Sequence, residues 1–247
     1  MYQNERLEKI LKILEKNGYT TVKYLTEALS YSNATINRDL IMLEQKNLVK
    51  RSYGGVELKE SKGVPLVFRY HKMKSAKMKI AKMAASLIED NDTVFIDATT
   101  TTQYIGQFIS EKKGLTVITN NMALATYLSD IGIEVICLGG KIVEAPYMLS
   151  GLQTIENAKK LHADKMFFST SGISDKGVIY SGEDYCQLYL TMAENSDKIF
   201  YLVDKGKLNV TNSFCPFDLN DIDAIISEFD LKGSLKKEYK NTEFIIA

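Results

Sequence analysis

The sequence predicts an α/β protein in two unequal domains: a small N-terminal unit of three helices and a β-hairpin, then a larger unit on a mostly parallel sheet. Three observations predict it. Over residues 1–58, apolar side chains recur at helical spacing and then give way to two short runs around a glycine pair. From residue 93 onward, continuous apolar runs alternate with helical stretches, the rhythm of strand–helix–strand units whose sheet is covered on both faces. Charge divides along the same line. Residues 1–82 carry 17 Lys and Arg against 8 Asp and Glu, a balance of +9, whereas residues 83–247 carry 14 against 23, a balance of −9. A front segment that positive is expected to meet a polyanion.

In the front domain, Leu7, Ile10, Leu11 and Leu14 fall on one face of a first helix, with Asn4 as its expected cap and Gly18 as its stop. Val22, Leu25 and Leu29 mark a short second helix. After a break at Ser30 and Tyr31, Ser32 is the N-cap of a third helix, whose buried face carries Ile36, Leu40 and Leu43. At 100° per residue Ala34 and Arg38 point the opposite way, flanked by Thr35 and Asn37. Small and polar groups near the start of an exposed helix are what close approach to base edges requires. Residues 48–51 and 56–58 read as two strands, and Ser52, Tyr53, Gly54 and Gly55 as their turn. That hairpin is a wing, placing Lys50 and Arg51 beside phosphates and Tyr53 against the backbone or in the minor groove. Residues 1–58 are therefore a winged helix-turn-helix for double-stranded DNA, with Ser32, Ala34, Thr35, Asn37, Arg38, Lys50, Arg51 and Tyr53 as its DNA-facing set. The competing reading is a protein-interaction module in which Arg38 pairs with Asp39 or Glu44.

Residues 59–74 read as a basic linker. From Ser61 to Lys82 there are seven Lys and Arg and no acid, so Lys62 to Lys74 either add salt-sensitive phosphate contacts or are simply solvated. From Ser75, Ile80, Ala81, Ala84, Leu87 and Ile88 take a helical pattern that opens the large domain, residues 75–247. Its strands are expected near 93–97, 115–119, 134–138, 165–168, 198–203, 223–226 and 243–246, with helices near 102–110, 122–129 and 183–195. In such sheets ligands bind beyond the carboxyl ends of the strands. There the sequence offers Asp97, Thr99, Thr100, Thr101, Asn120, Gly139, Gly140, Lys141, Asp204 and Lys207. The threonine run at a helix start suits a phosphate, and Asp97 or Asp204 suits sugar hydroxyls.

Other classes are disfavoured. Cys137, Cys186 and Cys215 are odd in number and without CxxC spacing, which fits reduced, buried thiols. With only two histidines, no metal site is expected, and no cofactor. Neither a signal segment nor a membrane-length apolar run is evident, so a cytoplasmic protein away from membranes is expected. An enzyme acting on sugar phosphates would need a carboxylate base such as Asp97, Glu183 or Asp204; no nucleophile elbow, P-loop or dinucleotide fingerprint accompanies them.

The residues Arg6, Ile10, Leu14 and Leu25, the stretch Ser32 to Leu40, Leu43, Glu44, Leu48, Val49 and Arg51 to Gly55 resemble the DeoR family of bacterial regulators. So does the later series Asp97 to Thr101, Thr119-Asn120, Gly139-Gly140, Ser150-Gly151, Ala163-Asp164 and Asp204 to Lys207. The resemblance spans roughly residues 5–230. Against the family pattern, Asn37 replaces an arginine, Tyr53 a histidine, Val56 an alanine and Thr99 a glycine. Tyr189, or its neighbour Leu188, stands where a lysine is common. The resemblance implies an effector domain similar in fold to ribose-5-phosphate isomerase and used for sensing. It further implies a phosphorylated sugar as effector, repression of carbohydrate genes through a DNA operator, and a homo-oligomer, dimer or tetramer.

Overall fold

The computed structural model describes residues 3–17, 19–45, 48–52, 54–58, 73–144, 148–236 and 238–247. Two compact units divide the chain, residues 1–72 and 73–247.

In the first unit, α1 (Gln3–Asn17), α2 (Val22–Leu29) and α3 (Asn33–Gln45) precede a hairpin of β2 (Val49–Ser52) and β3 (Gly55–Leu58). Leu7, Ile10, Leu11, Leu14, Leu25, Ile36, Leu40 and Leu43 are all buried, joined by Leu48, Val49 and Val56 from the hairpin. Val22 and Leu29 are only half-buried. The expected Asn4 cap is corrected: α1 begins at Gln3, which places Asn4 inside the first turn. A two-residue strand, β1 (Thr20–Thr21), pairs antiparallel with β3 and was not expected, being too short to show an alternating pattern. Its approach explains Gly55, where a Cβ would lie 2.9 Å from the Thr20 carbonyl oxygen. Gly54 supplies the positive φ of the turn, +83°.

Asp39 lies on α3 yet is fully buried, and Arg6 of α1 binds it through Nε and through Nη2 at 3.0 Å. The same guanidinium lies 4.9 Å from the centre of the Tyr31 ring. This corrects the reading in which Asp39 or Glu44 holds Arg38: Asp39 is taken by Arg6, and Glu44 accepts the Arg51 backbone N–H at 3.3 Å.

The second unit opens with α4 (Lys74–Ser86) and is built on seven parallel strands. These are β4 (Thr93–Ile96), β5 (Thr116–Thr119), β6 (Glu134–Cys137), β9 (Ala163–Phe168), β12 (Ser196–Val203), β14 (Ala224–Ser227) and β15 (Glu243–Ile246). Their order is β15-β14-β12-β9-β4-β5-β6. The chain enters at β4, runs outward through β5 and β6, then returns to β9 on the other side of β4. The β4/β9 boundary is thus the topological switch point, where the carboxyl ends open a crevice. Alternate residues face alternate layers. Val94, Ile96, Phe167, Phe200 and Leu202 pack on α4, a 3-10 helix (Thr102–Phe108) and α5 (Met122–Asp130). Phe95, Met166, Phe168, Tyr201 and Val203 pack in a second cluster with residues of α6 (Leu152–Ala158) and α7 (Glu183–Glu194). Two buried faces are why these strands read as unbroken apolar runs.

Two smaller assemblies were not foreseen: the hairpin of β7 (Lys141–Glu144) and β8 (Met148–Ser150), and an antiparallel sheet of β10 (Gly172–Ile173), β11 (Val178–Ser181) and β13 (Phe214–Asp218). The stretch expected as an α-helix near 102–110 is 3-10. The expectation of buried thiols is corrected for Cys137 and Cys215, which are exposed because β6 and β13 are edge strands. Among the described residues no helix is long and apolar enough to cross a membrane.

Removing Arg6 strands a buried carboxylate. Arg6→Ala is expected to destabilise the front domain by roughly 3–5 kcal/mol, and Arg6→Met with Asp39→Leu by much less. Native-state hydrogen exchange at the amides of α1 and α3 measures this; unchanged protection in Arg6→Ala would show that the pair does not support α3.

Candidate DNA interface and ligand site

On α3, Ser32 caps the helix: its Oγ accepts the Thr35 N–H at 3.2 Å and lies 2.9 Å from the Thr35 hydroxyl. Ala34 and Arg38 are exposed on the face opposite Ile36, Leu40 and Leu43. Arg38 forms no ion pair among the described residues, so its guanidinium is presented outward. Asn37 is engaged within the fold, its Nδ2 donating to the Asn33 carbonyl at 3.0 Å and to the Asn33 side chain. Its Oδ1 accepts from Arg51 Nη2 at 2.7 Å. Lys50 is exposed and 4.0 Å from Glu57 across the hairpin, a pair too solvated to hold it. Tyr53 and the basic stretch up to Lys72 lie outside the described residues; Lys74 already begins α4.

In the second unit, five of the ten expected ligand residues converge at the switch point. Asp97 ends β4 and is fully buried. One carboxylate oxygen accepts from the Thr99 hydroxyl at 3.0 Å, the Thr99 N–H at 3.4 Å and the Thr102 hydroxyl. The other accepts from the Tyr189 hydroxyl at 3.0 Å and the Ser169 N–H at 3.4 Å. Burial pushes the Asp97 carboxyl above its ordinary range, while the Thr102, Thr99 and Tyr189 hydroxyls pull it back. Burial first, and then the Asp97 charge, push the Tyr189 phenol well up, so it remains a donor.

Two lysines reach the same loop. Lys77 of α4, only 3% exposed, donates to the Thr100 hydroxyl at 2.9 Å. Lys207 donates to the Thr101 hydroxyl at 3.1 Å and to the Ser169 hydroxyl at 2.6 Å, bridging the ends of β4 and β9. The N–H groups of Thr100 and Thr101 donate to no backbone carbonyl among the described residues. Hydroxyls, amides and two ammonium groups from different elements are thus gathered at one loop.

Asn120 and Asp204 flank this centre at the ends of β5 and β12. Asn120 Nδ2 donates to the Leu149 carbonyl at 2.8 Å and its Oδ1 is buried without a partner. Asp204 accepts from the Gly206 N–H at 3.0 Å and keeps its second oxygen buried and unpartnered. Gly139 and Gly140 are not brought into the crevice by any contact. They pack under α6, where Thr154 donates to the Gly139 carbonyl at 2.7 Å and a Cβ at Gly140 would lie 2.0 Å from Thr154 Oγ1. Lys141 is exposed on β7.

Sequence reasoning missed Lys77, Ser169 and Glu228, and read Tyr189 only as a missing lysine. Lys77 had a signal: it shares a helical face with Ile80, Ala81, Ala84 and Ile88 and so had to point inward. Ser169 is the first polar residue after the apolar run of β9. Glu228, one residue beyond β14, accepts the Lys205 N–H at 3.0 Å and has one buried oxygen without a partner. Among the described residues no cluster of three metal-ligating side chains occurs.

A winged helix-turn-helix with an exposed arginine, followed by a parallel α/β domain with a polar crevice at its switch point, defines a ligand-responsive DNA-binding protein. Comparison makes the assignment specific. Residues 6–62 match the DeoR-like helix-turn-helix domain and residues 72–228 the DeoR C-terminal sensor domain; the chain belongs to the DeoR family of transcriptional regulators. It is similar to the HTH-type transcriptional repressor GlcR of Bacillus subtilis, 35% identical over 231 residues, covering 92% of this chain and 89% of that protein. It is also similar to the lactose phosphotransferase system repressor of Staphylococcus aureus, 29% identical over 238 residues, covering 93% and 94%. Among solved structures, ribose 5-phosphate isomerase from Plasmodium falciparum aligns with a TM-score of 0.41 and 18% identity, covering 57% of this chain and 55% of that one.

The raised Asp97 carboxyl has a thermodynamic sign. The folded state holds this proton more tightly than the unfolded chain, so the contribution of Asp97 to stability falls as pH rises from the ordinary value of 3.8 through the raised one. The wild-type unfolding free energy minus that of Asp97→Asn is expected to decline over this window, by at most about 1.4 kcal/mol per pH unit. Chemical denaturation across the acid range tests it, and a rising difference would mean that the hydroxyl donors outweigh burial.

Proposed function

We propose that the chain is a repressor of carbohydrate-metabolism genes whose second domain binds a phosphorylated sugar at the β4/β9 crevice. One observation carries this reading: Lys77 and Lys207, from different elements, both hydrogen-bond to the threonine run, at Thr100 and Thr101, with Ser169 sharing Lys207. A phosphate dianion placed there lets each ammonium pair with an opposite charge in place of a neutral hydroxyl. Asp204 and Asn120, each with an unpartnered buried oxygen on either side, then accept hydroxyls of the sugar. The printed name of the staphylococcal relative refers to a phosphotransferase system, which favours a phosphorylated ligand.

Turnover is disfavoured by the state of Asp97. Its two oxygens are fully buried and turned to internal donors from Thr99, Thr102, Tyr189 and Ser169, away from any substrate. It holds the loop in shape. Lys141, Gly139 and Gly140 are kept as more distant contributors, through the loop that follows β6.

Ligand occupancy acts on the operator through differential affinity for two arrangements of the protein. A coupling of about 1–3 kcal/mol changes operator affinity about 5–150-fold. The protein works in the cytoplasm as a homo-oligomer, because two-fold symmetric operators need at least two winged domains.

A thermal-shift screen of phosphorylated sugars against their unphosphorylated counterparts is expected to show stabilisation by a phosphorylated member only, with the shift abolished in Lys207→Ala and reduced in Thr100→Ala. Equal response to the free sugars would remove the phosphate from the reading. On the DNA side, Arg38→Ala is expected to lower affinity for a selected duplex by about 1–3 kcal/mol with little effect on random DNA. Unchanged discrimination would take Arg38 out of the groove.

A further inference from the structure

We infer that Asn37 does not touch DNA: it is a positioning residue that aims Arg51 of the wing at a DNA phosphate beside Arg38. This rests on the DNA-binding role of the front domain and adds a division of labour within it. An asparagine that reads adenine needs both its amide N–H and its carbonyl oxygen. Here the Nδ2 group is occupied by the carbonyl and side-chain oxygens of Asn33, one turn earlier on the same helix. Its Oδ1 faces the hairpin and accepts from Arg51 Nη2 at 2.7 Å. Asn37 therefore has no donor left for a base edge.

Arg51 is held at two points. Its backbone N–H donates to Glu44 Oε1 at 3.3 Å, two turns along α3, and its guanidinium is held by Asn37. A guanidinium carries five N–H donors, and this contact uses one. The guanidinium is thereby held at Asn37 on the flank of α3, next in sequence to the exposed Arg38. A half-buried arginine on a wing strand, fixed at one N–H, suits a phosphate at the groove edge, which takes a fork of donors without any sequence requirement. Fixing the side chain in advance also spares rotamer entropy on binding.

The test uses the full chain and a duplex enriched from a randomised pool by the wild-type protein, with affinities measured across a salt series. Arg51→Ala is expected to weaken binding on the order of tenfold on enriched and random duplexes alike, and to make the slope of log affinity against log salt shallower by about 0.9. Arg51→Lys keeps the charge and should keep most of the slope. Asn37→Ala, which removes no charge and favours the helix, is expected to reproduce most of the Arg51→Ala loss and a shallower slope. The double variant should then bind no worse than Arg51→Ala alone. The inference is overturned if Asn37→Ala keeps the wild-type slope while changing base preference, or if the two losses add. If the wild-type chain enriches no duplex at all, the DNA-binding assignment fails instead.

Discussion

The larger domain depends on one buried carboxylate. Asp97 closes β4 at the centre of the sheet, and its oxygens collect donors from the loop that follows, from the end of β9 and from α7. An ionised carboxylate in such a place is costly unless saturated with hydrogen bonds, so the donors are as constrained as the acceptor. The constraint fixes the path of Thr99 to Thr102, which in turn sets where Lys77 and Lys207 can reach. A carboxylate placed at the switch point thus organises the hydroxyls and lysines around it.

The front domain repeats the device with other partners. Asp39 is buried against Arg6, so the roll of α3 about its axis is set by polar geometry as well as by Ile36, Leu40 and Leu43. A helix packed by aliphatic side chains alone tolerates small rotations; one that must also deliver a carboxylate to a guanidinium tolerates fewer. Arg38, the next residue back, faces outward as a consequence.

Much of this was legible in the sequence because periodicity reports burial directly. The three front helices, the wing, α4 and the main parallel strands all announced themselves through spacing. What escaped were short strands: β1 and β13 pair with partners far along the chain, while β7 with β8 and β10 with β11 are hairpins too short to show an alternating pattern. The ligand residues divide in the same way. Asp97 and the threonine run follow an apolar strand and stand out, whereas at Gly140 the absent side chain leaves room for Thr154, and Gly139 is set by its positive φ of 68°. At Gly140 the reason lies in a helix that comes later in the chain.

Two departures from the family pattern carry the same lesson about charge. Asn37, and Tyr189 or its neighbour Leu188, stand where the resemblance leads one to expect a cation; Asn37 instead hydrogen-bonds Arg51, and Tyr189 hydrogen-bonds Asp97. Neither position is an empty socket left by a lost side chain. At residue 37 positive charge still reaches the flank of α3, now delivered from the wing. At residue 189 it does not, and a neutral phenol leaves Asp97 without an ion-pair partner, which is why burial dominates its titration. The threonine loop is reached by the lysines at 77 and 207, while Tyr189 of α7 donates to Asp97.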